Sequence, residues 1–143
     1  ARPAPPAWVS ISHTTGAALA AAAPFPLGVD LERLDRPVSP RVWRWAFSPA
    51  ELEFLREPPE GPAQAESEKI PPGLALWCAK EAAAKAWGKA LLNHLEQVRV
   101  TGTDWPEGRI TVGYYEDCSR IRQSEVRLTA HNGYLAALAR VIE

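Results

Sequence analysis

With 143 residues, 46% of them hydrophobic and 23% charged, the chain is long enough for one core and one domain. Its 16 Lys+Arg against 17 Asp+Glu leave a formal net charge of -1, without the basic excess that nucleic-acid binding draws on, so no nucleic-acid partner is expected. Cys78 and Cys118 are the only cysteines and sit in no ligand spacing, which argues against a disulfide framework or a zinc site.

Free thiols suit a reducing setting, and a cytoplasmic location is expected. The most apolar run, Ala17 to Ala23, is too short to cross a bilayer and is followed by Pro24 and Pro26, so no membrane partner is expected either. The chain holds no Met and opens Ala-Arg-Pro-Ala-Pro-Pro. Residues 1–7 read as a linker ahead of one domain over 8–143, and the chain reads as cut from something longer.

From Trp8 to His13 apolar and polar side chains alternate, a strand pattern, and Thr14-Thr15-Gly16 turns it back into Ala17–Ala23 as a hairpin. Leu27 to Glu32 alternates again, placing Asp30 and Glu32 on one face and Val29 and Leu31 on the other. Ser39-Pro40 starts a helix. Ser48-Pro49-Ala50-Glu51 is a capping box with proline at the first helical position, which predicts a helix from about Pro49 to Arg56. Glu57 to Gly73, rich in proline and glycine, reads as a mobile loop.

The main helix is predicted from near Leu74, through Ala-Lys-Glu-Ala-Ala-Ala-Lys-Ala, to about His94. Strands are predicted at Gln97–Thr101, Arg109–Tyr115 and Glu125–Ala130, the last turning at Asn132-Gly133 into Tyr134–Ile142. The segment Val9 to Ala20 is echoed, residue for residue in altered form, by Val126 to Ala137. The two hairpins read as copies in a pseudo-symmetric arrangement, or as chance similarity between alanine-rich strands.

Asp30, Glu32 and Glu81 converge if the helix packs on the sheet, and three carboxylates suit a hard divalent cation shared with phosphate. The alternative is that all three are solvated surface charges. Glu81 and Lys85 have the favourable i,i+4 order, which explains them as helix stabilisers as readily as phosphate ligands, and Lys80 shares that ambiguity. His13 stands on the Val9–Ile11 face near a turn, either meeting an anion or partly buried. Trp43, Trp45, Trp77 and Trp87 read as packing anchors.

Three segments together resemble the 4'-phosphopantetheinyl transferase family, within the holo-acyl-carrier-protein synthase superfamily. They are Ser10-Ile11-Ser12-His13-Thr14, then Gly28-Val29-Asp30-Leu31-Glu32, then Trp77 to Lys85, which is similar to the family's W-x-x-K-E-A-x-x-K helix. Gly133 to Ala137 is similar to its closing strand. The resemblance implies an α+β fold, a small antiparallel sheet packed on one long helix. It also implies an enzyme that moves phosphopantetheine from coenzyme A to a serine of an acyl or peptidyl carrier protein.

By this resemblance Asp30, Glu32 and Glu81 would hold Mg2+, and Glu81 would help deprotonate the serine. Lys85 and Lys80 would supply positive charge at the pyrophosphate, and Ser12 and His13 would contact the 3'-phosphate. Adenosine 3',5'-bisphosphate would leave. The two-halved subtype has a full cleft in one chain, of which this chain resembles the second half preceded by the last hairpin of the first. The shorter subtype completes its site by trimerising. A homotrimer, or a domain of a larger fatty-acid or polyketide synthase, is therefore expected. The rival from another class is a module that binds coenzyme A or a carrier protein without turnover.

Overall fold

Among the described residues of the computed structural model, 7–37, 39–56, 69–117 and 119–142, the strand patterns all become strands. In chain order they are β1 (Trp8–Thr14), β2 (Ala17–Ala23), β3 (Leu27–Arg33), α1 (Pro40–Ala46), α2 (Pro49–Glu53), α3 (Pro72–Ala86), β4 (Val98–Asp104), β5 (Arg109–Asp117), β6 (Arg120–His131) and β7 (Tyr134–Val141). Short 3-10 turns cover Phe54–Arg56 and Leu91–Asn93.

The fold is α+β. β3 to β7 form a five-stranded antiparallel sheet in the order β3-β7-β6-β5-β4, and β1 and β2 form a separate hairpin. Both hairpins of the sequence echo turn on a glycine at positive φ, Gly16 at 84° and Gly133 at 82°, where a β-carbon would be strained. The turns lie together: the Tyr134 hydroxyl donates to the Thr15 carbonyl at 3.0 Å.

α3 is apolar nearly all round, the mark of a helix sunk in a core. It packs on the sheet face formed by Val126 of β6 and by Leu135, Ala137 and Ala139 of β7, all with no measurable exposure. Gly28 permits the closest approach, since a β-carbon there would collide with the Ala82 carbonyl and the Ala86 amide of α3. Asp30 and Glu32 pair with Ala137 and Leu135, so both carboxylates do share the helix-facing side of β3, as the alternation predicts. Leu27, Val29 and Leu31 point the other way.

The main helix is shorter than the sequence predicts. It begins at Pro72 and stops at Ala86, and Gly88 at φ 70° turns the chain into the 3-10 turn, so the run to His94 is broken. The predicted loop keeps only its end inside the described residues, where Pro72 and Gly73 already belong to α3. Most of the 1–7 linker and Cys118 lie outside the described residues, and Cys78 is a buried free thiol.

Candidate active site

β1 runs beside the outer edge of β3, joined to it by serine side chains. Ser10 Oγ accepts from the Val29 amide and Ser12 Oγ from the Leu31 amide, each at 3.0 Å. The Ser12 hydroxyl donates to Asp30 Oδ1 at 3.2 Å. Small hydroxyls at alternate positions thus satisfy a strand edge that, among the described residues, has no backbone ladder on that side.

Within α3, Glu81 and Lys85 are the two charged side chains that are not buried, and Pro72 at its start is the one other residue only partly covered. Lys85 Nζ donates to the Val29 carbonyl at 2.9 Å and the Ile11 carbonyl at 3.4 Å, and lies 3.8 Å from Asp30 Oδ1. A groove of about 520 Å³ opens over this point, lined by Glu81, Lys85 and Lys89 and by the apolar Val9, Ile11 and Leu92.

The carboxylates feel one another. Burial pushes Asp30 up to about 6, helped by the charge of Glu32 and opposed by Cys78, Lys85 and Ser12. Burial also pushes Glu81 up to about 7, helped by Asp30 and Glu32 and opposed by Lys85 and Arg36. Of the two carboxyls that burial holds up, Glu81 lines the groove and is placed to exchange a proton with a substrate there, whereas Asp30 is buried, 6% exposed.

The three-carboxylate metal set is not gathered. Among the described residues no three His, Cys, Asp or Glu side chains converge into a cation cage, because Glu32 Oε1 is turned to Arg36 at 2.7 Å. Asp30 and Glu81 still fit a hard cation. Asp30 Oδ2 is buried without a hydrogen-bond partner, and magnesium needs only one or two carboxylates when phosphate and water supply the rest.

Two further expectations are corrected. Lys80 does not face the cleft: its Nζ is fully buried on Glu51 and the Ala46 carbonyl. Five residues turn a helix by about 140° from Lys80 to Lys85, so the two cannot serve one face. Ser12 is buried with its hydroxyl turned inward to β3, away from any ligand on the outer side of the hairpin. His13 is exposed, on the same side as Val9 and Ile11.

Glu51, Arg36 and Cys78 were not singled out for this region by the sequence. Glu51 was legible as a capping residue, but its second use, as the counterion of Lys80, carried no local signal. Arg36 stands four residues after Glu32 in an irregular segment, where no periodicity implies a pair. Cys78 lies against Asp30, and burial pushes its thiol up, with the Asp30 charge next in weight.

The family model of the 4'-phosphopantetheinyl transferase superfamily matches residues 26–139. That range spans β3, α3, β4, β5, β6 and all but the last two residues of β7, and the chain belongs to this superfamily. The β1–β2 hairpin lies outside the matched range. Its kind of chemistry is therefore phosphopantetheine transfer, and no helix among the described residues is long and apolar enough to cross a membrane. No curated protein matches the chain significantly.

Proposed function

We propose that this protein moves the 4'-phosphopantetheine group of coenzyme A onto a serine of an acyl or peptidyl carrier protein, acting as a holo-acyl-carrier-protein synthase. The observation that carries the reading is that α3 exposes two charged side chains, Glu81 and Lys85, and presents both beside Asp30. Superfamily membership supplies the class of reaction.

In the transfer a bond forms between the serine Oγ and the phosphorus that bears the pantetheine. The bond from that phosphorus to the bridging oxygen breaks, and its electron pair leaves with adenosine 3',5'-bisphosphate. Glu81, poised near neutrality, takes the serine proton directly or through a water. Lys85 sets positive charge against the non-bridging oxygens, where transfer of this kind depends on positioning and charge neutralisation. Asp30 and Glu81 would hold Mg2+, with Glu32 joining them once Arg36 lets go; bound there, the ion neutralises pyrophosphate charge. His13 meets the 3'-phosphate from the exposed side of β1.

The assembly we infer is a homotrimer, or a domain working inside a larger synthase in the cytoplasm. Its support is the open face of the first hairpin, where Val9 is 64% and Ile11 62% exposed beside the candidate cleft. Light scattering distinguishes the two. The rival reading, a module that binds coenzyme A or a carrier protein without turnover, is favoured by the Glu32–Arg36 pair, which withholds one carboxylate.

Mass spectrometry of an apo carrier protein incubated with this chain, coenzyme A and magnesium decides between transfer and mere binding. Gain of one phosphopantetheine mass, lost with chelator, is expected. An unmodified carrier in a mixture where coenzyme A demonstrably binds would establish the non-catalytic module instead.

A further inference from the structure

The chain curls as it leaves β3. The Leu34 amide donates to the Gly133 carbonyl at 2.9 Å and the Arg36 amide to the Arg33 carbonyl at 3.1 Å, while Pro37 disfavours helical backbone at Arg36. The turn brings the Arg36 side chain back to Glu32, where Nη1 donates to Oε1 at 2.7 Å. Arg33 is nearer in sequence, but its guanidinium is committed to both carboxylate oxygens of Asp35, at 2.9 and 2.7 Å.

Two cationic side chains attend the carboxylates of the cleft, and they are held differently. Lys85 Nζ is tied to the Val29 and Ile11 carbonyls, of β3 and β1, besides standing 3.8 Å from Asp30. The Arg36 guanidinium makes one hydrogen bond among the described residues, to Glu32, and its side chain is 46% exposed against 15% for its partner. A half-exposed pair of this kind is weak and is readily exchanged for water. The Arg36 charge also reaches Glu81, where it opposes the rise that burial causes.

A divalent cation on Asp30 and Glu81 would bring two more positive charges into a cluster that Lys85 and Arg36 already serve. The buried, unpartnered Asp30 Oδ2 favours such a cation. Like charges repel, and the more loosely held of the two side chains is the one that yields.

We propose that Arg36 is a latch on the cation site: its guanidinium keeps Glu32 turned away from Asp30 and Glu81, and must swing into solvent before Glu32 can serve as a ligand. Arg36 thereby sets how much free cation the site requires. The inference rests on the metal-assisted transfer proposed above and goes beyond it, because it gives a residue outside the three carboxylates control over when the third one joins.

The test uses Mn2+ as the probe, with bound and free ion counted by electron paramagnetic resonance in the full chain, and circular dichroism verifies that the variants keep their fold. Arg36→Ala is expected to bind Mn2+ about fivefold more tightly than the parent. Removing a positive charge helps any nearby cation, and a Glu32→Gln background separates that effect from the latch. There the gain from Arg36→Ala should fall below about twofold, since no carboxylate is left to release. Nitrogen NMR of Arg36 reads the latch directly, because a guanidinium held in an ion pair rotates slowly. Slow rotation is expected without metal and fast rotation at saturating Mg2+. An equal gain in both backgrounds, an Arg36→Ala affinity no better than the parent's, or slow rotation that persists at saturating Mg2+ would overturn the latch and leave the metal site standing. Should no form of the chain bind Mn2+, with or without coenzyme A, the metal-assisted reading itself fails and the latch with it.

Discussion

Lys80 Nζ lies 3.1 Å from the carboxylate of Glu51, with both side chains almost wholly out of water, at 0% and 2% exposure. Glu51 also accepts from the Ser48 amide at 3.0 Å and from the Val100 amide at 2.8 Å, so one carboxylate ties α2 to α3 and to β4. A buried ion pair of this kind is costly to break, because the surviving charge has no water to turn to.

Glu51→Ala is accordingly expected to destabilise the fold by about 3 to 5 kcal/mol, and Lys80→Met by a comparable amount, in urea unfolding. The double variant Glu51→Gln, Lys80→Met should recover part of the loss. Calorimetry on variants that remain folded should show coenzyme A affinity unchanged. A Lys80→Met protein as stable as the parent but poorer at binding coenzyme A would return Lys80 to the ligand site.

Gly28→Ala places a methyl against the Ala82 carbonyl and the Ala86 amide, backbone atoms that cannot swing aside. Strand and helix must separate, at a cost of about 1 to 3 kcal/mol typical of overpacking. Because Asp30 follows two residues later, transfer should fall more than stability predicts. Thermal melts and turnover measured side by side check this; normal turnover in the substituted protein would show that the close approach is not needed.

Ser12→Ala removes the acceptor of the Leu31 amide and the donor to Asp30 together. Leaving buried polar groups without partners costs about 1 to 3 kcal/mol. The variant should melt earlier while keeping its preference between coenzyme A and dephospho-coenzyme A. A lost preference with unchanged melting would make Ser12 a ligand contact after all.

His13→Ala should instead weaken coenzyme A more than dephospho-coenzyme A, which lacks the 3'-phosphate, because the exposed imidazole is free to meet an anion. Calorimetric titration of both ligands measures the difference. Equal losses remove the phosphate assignment.

Acidity should stabilise the ligand-free protein. Asp30 and Glu81, held up to about 6 and about 7, keep protons that the unfolded chain releases at the ordinary carboxyl values of 3.8 and 4.5. Their contribution to stability is therefore fully present below about pH 4 and is lost as pH rises through about 6 and about 7, with Asp30 alone accounting for about 3 kcal/mol. Asp30→Asn should flatten the profile and raise stability at neutral pH. A melting temperature in metal-free buffer that rises steadily from pH 5 to 7.5 would contradict the burial of these carboxyls.

The elements were legible because their signals are local. Period-two alternation marked β1 and β3, the Asn132-Gly133 turn marked the last hairpin, and the capping box at Ser48 and Glu51 appears as predicted with both of its hydrogen bonds. Alternation also placed Asp30 and Glu32 on one side of β3, since side chains on a strand change face at every residue. The helix end at Ala86 was missed because Gly88 reads as tolerable inside a long run of helix formers until its positive φ is known. What sequence could not decide was which charges meet. Lys80 and Lys85 are alike in type and flank one glutamate, yet packing buries the first on Glu51, 29 residues earlier, and leaves the second at the cleft. Ser12 turned inward and Glu32 turned to Arg36 for the same reason. Partner choice among polar groups is set by burial and by contacts far apart in the chain, which exist only once helix and sheet have closed on each other.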